Sequence, residues 1–167
     1  MISSNIETKA QEVLDQAGIK SSPVEVEQIA KHFGIEIKKG PSNDFSGLLL
    51  HKADKAYIAV NSNEAKVRQR FTIAHEIGHF ILHKNSSVFV EYRDNQKGII
   101  RTPKELEANA FAAALLMPSA SLEKDMAVIV KKGMFEESDL KTLCEKYAVS
   151  EDAMKIRLIN LSYILDA

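Results

Sequence analysis

Phe71 to Leu82 is an apolar run into which two histidines and a glutamate are set, His75-Glu76-Ile77-Gly78-His79. A segment apolar on nearly every side is expected to be a helix buried in the centre of a fold, and buried groups able to carry charge need partners. His75 and His79 are four apart, so on a helix they stand one turn above each other and point the same way. Two imidazoles so arranged can share one metal ion at about 2.0–2.1 Å. Glu76 lies one residue along, beside the ion instead of on it, where its carboxylate can take a proton from a water that the metal activates. The H-E-x-x-H spacing therefore predicts one Zn2+ per chain with a catalytic base next to it.

A catalytic zinc wants a third protein ligand and an open position for water. His83 continues the series of four, but at a rise of about 1.5 Å per residue its Cα would stand about 12 Å from that of His75. A single ion does not bridge that span. The metzincin pattern is excluded as well, because it requires Gly and His where this chain has Leu82 and Asn85. A second helical segment, Lys104 to Pro118, supplies better candidates. Pro103 suits a first turn, Glu105 and Glu107 complement the positive N-terminal end, and the Ala/Leu-rich remainder allows close packing on the motif helix. Compensation of the helix dipole accounts for both acids without any metal, so either stays open as a ligand on this ground. Glu105 has Asn109 one turn further on, so these two can face the same neighbour, one as ligand and one as hydrogen-bond partner of a ligand histidine. Glu107 is expected to face water.

Arg68 to His79, taken with Glu105-x-x-Ala108-Asn109-x-Phe111-Ala112-Ala113-x-Leu115-Leu116-Met117-Pro118, resembles the ImmA/IrrE family of metallopeptidases. The similarity runs from about Pro23 to Pro118 and, more loosely, into the tail. It includes Pro23 to Ile37, which is similar to the family's first helix and strand, and Ser46 to Leu49 with Ile58 to Asn61, similar to its hairpin. The resemblance implies that Glu105 is the third ligand. Asn109 stands where gluzincin-type peptidases place an acidic residue, and an amide orients a histidine less strongly than a carboxylate. It also implies a zinc-dependent endopeptidase whose protein substrate is a helix-turn-helix repressor of a mobile element or a stress response. A metal-binding anti-repressor that grips its partner without cleaving it is the alternative, and an intact Glu76 argues for catalysis.

The residues read alone agree on the architecture. Val26, Ile29, Ala30 and Phe33 recur at helical spacing before Gly34, and Ile35 and Ile37 alternate as in a strand. Leu48 to His51 and Tyr57 to Val60 form a hairpin about Lys52 to Ala56. Asn5 is expected to cap a packing helix that Gly18 closes. Lys84 to Thr102 reads as a polar loop between the two metal-binding helices. It carries Tyr92, Arg93 and Arg101, which with His83 are candidates for stabilising an oxyanion, Tyr92 first.

The expected fold is α+β: a mostly helical, zincin-like domain with a small sheet. At 167 residues and 45% hydrophobic content the chain suffices for one globular domain. Residues 1–22 are read as an N-terminal helix, 23–118 as the catalytic core and 119–167 as C-terminal helices. Leu140 to Leu158 loosely resembles a helix-turn-helix with its second helix capped by Ser150. Glu151 and Asp152 put negative charge where a recognition helix meets DNA, so packing on the core is the expected use. A net charge of −1 likewise argues against direct nucleic-acid or anionic-membrane binding. No apolar stretch reaches a membrane span, and Met1 to Asn5 lacks the marks of a signal peptide, which points to the cytoplasm. Cys144, the single cysteine, has no disulfide partner in the chain and is expected in the core of its helix.

Overall fold

Alternating burial builds the sheet around strand β3 (Lys55–Asn61), which turns Ala56, Ile58 and Val60 inward. The computed structural model describes residues 4–52, 54–84 and 102–165, together with the backbone of 88–92. β2 (Phe45–Lys52) is the antiparallel partner of β3, with Leu48 opposite Ala59 and Leu49 opposite Ile58. β1 (Ile35–Gly40) lies parallel to β3 on its other side, Ile35 opposite Ala56. A fourth strand, β4 (Val88–Tyr92), adds antiparallel to β2, giving the order β1-β3-β2-β4. The expectation of a loop throughout Lys84 to Thr102 is thus corrected. Val88-Phe89-Val90 are residues of high strand propensity, and β2 offers them an open ladder edge.

Helix α3 (Lys66–Leu82) contains the histidine motif, and every residue from Thr72 to His79 is buried. It is enclosed by β2 and β3 on one side and by α4 (Pro103–Leu116) on the other. Gly78 permits that second contact. A Cβ at this position would meet Cδ1 of Phe111 at 3.1 Å and the Cα of Ala108 at 3.3 Å, so the two helices meet almost backbone to backbone. The small residues of α4 allow the same approach from the other side, burying Ala108, Ala112 and Ala114.

α1 (Ser4–Ala17) covers α4, and α2 (Val26–His32) packs against β1, α1 and α3. Asn5 sits within the first turn of α1 instead of capping it, because the helix already runs from Ser4. α5 (Ser119–Lys132), α6 (Glu137–Tyr147) and α7 (Glu151–Asn160) complete the chain. Ser150 caps α7 by accepting a hydrogen bond from the backbone N–H of Ala153 at 3.2 Å. Arg157 on α7 is fully buried, ion-paired to Glu7 of α1 and donating from Nε to the carbonyl of Met117 at 3.0 Å. Met154 and Leu158 are buried alongside it, so this helix spends its inner face on the core. Cys144 is half-buried at the core's edge. Among the described residues no helix is long and apolar enough to cross a membrane.

Candidate metal centre

The N-terminus of α4 is set by Thr102, whose hydroxyl accepts from the N–H of Glu105 at 3.3 Å, with Pro103 at the first helical position. This places Glu105 in the first turn, opposite the middle of α3. Its carboxylate lies 3.1 Å from Nε2 of His75 through one oxygen and 3.1 Å from Nε2 of His79 through the other. The two Nε2 atoms are 3.0 Å apart. Ligands on a tetrahedral zinc at about 2.0–2.1 Å would stand about 3.3 Å from one another, so this trio has the donor types and nearly the spacing of such a site. All of its ligand atoms lie within 4.8 Å of one another.

Protonation states favour the same use. The imidazoles of His75 and His79 hold the Glu105 carboxyl well below the usual carboxylate range. Burial pushes His79 below the ordinary histidine value and outweighs the pull of Glu105, which keeps the ring neutral and able to donate a lone pair. Nδ1 of His75 donates to Oδ1 of Asn109 at 2.9 Å, leaving Nε2 to face the trio.

Glu76 is fully buried between α3 and the sheet. Gly47 on β2 makes the room. A Cβ there would overlap the methyl group of Thr72 and stand 3.0 Å from Oε1 of Glu76. No side chain larger than hydrogen fits while the Thr72 methyl stays where it is, and the carboxylate adds a second tight contact.

Two residues are placed differently from the sequence expectation. Glu107 is half exposed, yet its carboxylate does not simply face water, since Oε2 lies 2.9 Å from Nε2 of His83. His83, considered for oxyanion stabilisation, has its Nδ1 3.0 Å from Nδ1 of His79 and is occupied behind that ring. The i, i+4, i+8 histidine series carried the signal for this contact, and the partner on α4 became visible only once the helices were docked. Tyr92 ends β4 opposite Phe45. The side chain of Tyr92, and Arg93 and Arg101 altogether, lie outside the described residues.

The family model for the IrrE N-terminal-like domain matches residues 30–159. The metallopeptidase ImmA of Bacillus subtilis (strain 168) is 31% identical over 128 residues, which cover 76% of this chain and 72% of that protein. The radiation response metalloprotease IrrE of Deinococcus radiodurans is 42% identical over 62 residues, 36% of this chain and 19% of that protein. The match spans most of the chain and includes a His-His-Glu trio, its two histidines buried, able to hold a metal ion: the chain belongs to the ImmA/IrrE family of metallopeptidases.

Proposed function

We propose that this chain is a zinc-dependent endopeptidase of the cytoplasm that cleaves a helix-turn-helix repressor, working as a single domain over residues 1–167. The observation that carries the reading is the convergence of His75, His79 and Glu105 on one point from two helices. Those three would hold the ion, with Asn109 fixing the tautomer of His75. A bound zinc supplies Lewis acidity, lowering the pKa of water and polarising a carbonyl oxygen.

The remaining chemistry belongs to the chain. Glu76, buried on α3 beside His75, takes a proton from the attacking water as its oxygen bonds to the scissile carbonyl carbon. The same carboxyl then returns the proton to the amide nitrogen as the C–N bond breaks, so an acid and an amine leave and Glu76 is regenerated. Burial beneath β2 keeps the carboxylate away from bulk water and within a restricted range of positions. Similarity to a metallopeptidase and to a radiation response metalloprotease supports proteolysis, and the latter supports a stress-response setting.

The test is to express wild type and Glu76→Gln in cells and compare newly created protein N-termini by mass spectrometry. Cleavage within a helix-turn-helix repressor is expected with wild type alone, since an amide cannot accept the water's proton while the metal donors stay in place. If both proteins relieve repression equally and the repressor remains full-length with each, the chain is a binding module and the peptidase reading is wrong.

A further inference from the structure

His83 and Glu107 lie outside the donor trio, yet their side chains form an unbroken line with it. Nδ1 of His83 is 3.0 Å from Nδ1 of His79, and Nε2 of His83 is 2.9 Å from Oε2 of Glu107. The His83 side chain is 6% exposed and that of Glu107 51%, so the line starts deep in the core and ends at the surface.

We propose that His83 and Glu107 are positioning residues for the metal centre, forming a carboxylate–imidazole relay that fixes the tautomer and ring angle of His79. The inference rests on the metal-centre reading above and deepens it. For His79 to offer its Nε2 lone pair to an ion, its ring proton must sit on Nδ1. That N–H points at Nδ1 of His83, which must therefore be the acceptor. The neutral His83 ring then carries its own proton on Nε2, where it donates to the Glu107 carboxylate. Each bond dictates the next, and the carboxylate at the end admits one direction only, because it can accept but not donate.

The other ligand ring is held by a shorter version of the same device. Nδ1 of His75 donates to the amide oxygen of Asn109 at 2.9 Å. One histidine is thus oriented by an amide on α4, and the other by a second histidine that α4 anchors through Glu107. Outer partners of this kind typically contribute about 10–100-fold in metal affinity. The inner bond, from His79 to His83, is shielded from water and should carry most of the effect, whereas the Glu107 bond competes with solvent.

Zinc affinity, measured by competition with a chromophoric chelator, tests this without any substrate. Thermal unfolding of the metal-free proteins reports separately on folding. His83→Leu should weaken zinc binding by about 10–100-fold. His83→Asn should recover most of that loss, because its side-chain carbonyl can accept from His79 as Asn109 accepts from His75. Glu107→Gln should cost less, about two- to fivefold, and nothing further once His83 is Asn. Wild-type zinc affinity in His83→Leu would overturn the relay while leaving the metal centre intact. So would an Asn variant as weak as the Leu variant, or a Glu107→Gln loss that persists when His83 is Asn. Failure of wild type to bind zinc at all would overturn the metal-centre reading and the relay with it.

Discussion

Replacing Gly47 by alanine tests whether β2 fixes the position of Glu76, the base in the proposed mechanism. The added Cβ would overlap the Thr72 methyl group and reach to 3.0 Å from Oε1 and 3.5 Å from Cγ of Glu76. Neither neighbour can yield freely, since Thr72 and Glu76 are both fully buried on a helix packed on two sides. Overpacking of this kind costs about 1–3 kcal/mol. At about 2–4 °C per kcal/mol for a chain of this size, the melting temperature should fall by about 2–12 °C. Relief by moving Glu76 would also misplace the base, and a shift on the order of 1 Å can cost about a hundredfold in turnover. Zinc affinity should change much less, because the donors meet at the interface of α3 with α4. Thr72→Ser removes the overlapping methyl, so in the Gly47→Ala background it should be less destabilising than on its own. Calorimetry on the four proteins of this cycle, with cleavage of whichever substrate the comparison of wild type with Glu76→Gln reveals, gives the answer. Unfolding of Gly47→Ala at the wild-type temperature, or strict additivity with Thr72→Ser, would show that the strand does not constrain the helix as described.

Three further outcomes follow from the geometry. Glu105→Ala should reduce zinc affinity beyond the roughly 10–100-fold that attends loss of an outer partner, and Glu107→Ala should fall short of it; equal affinities in a chelator competition would refute the choice of third ligand. Glu7→Ala strands the buried Arg157 guanidinium and should destabilise the fold by about 3 kcal/mol, the lower part of the range for a broken buried pair because Glu7 is itself partly exposed. A loss under about 1 kcal/mol in urea denaturation would show that water replaces Glu7 there. Tyr147 is fully buried, and burial together with its bond to Asp125 at 2.8 Å raises its pKa above the ordinary 10.0. The neutral phenol is favoured in the folded state, so this contribution to stability is complete below pH 10 and is lost as pH rises through the folded-state pKa. Tyr147→Phe should flatten the fall in stability above pH 10, and an unchanged alkaline limb would contradict the assignment.

Local periodicity explains what could be read from the residues. The four-residue interval between His75 and His79 and the same interval between Glu105 and Asn109 are properties of any α-helix, so which residues share a face follows from sequence position alone. The β2–β3 hairpin and the stop of α2 before Gly34 were legible for the same reason, since alternation and turn residues act within a few positions. Metal-ligand chemistry then restricted the possible partners of two buried imidazoles to a short list. Membership of the tail in the core was legible in outline from Glu151 and Asp152, but its anchor, Arg157 reaching Glu7 across 150 positions, was not.

Tertiary structure decided the rest, because docking angles have no signature in a single helix. Whether Glu107 meets water or His83 depends on how far α4 is rotated and shifted along α3, which the contact of Gly78 with Ala108 and Phe111 sets. The pairing of Val88 to Tyr92 with β2 depended on an edge that exists only after β2 and β3 have joined. Nothing local to Gly47 signals the Thr72 methyl and the Glu76 carboxylate that lie beneath it. The sequence by itself determined which groups could do the chemistry; the packing of one helix between a sheet and a second helix decided which of them touch, because contacts between elements depend on the shape of every surface in the interface at once.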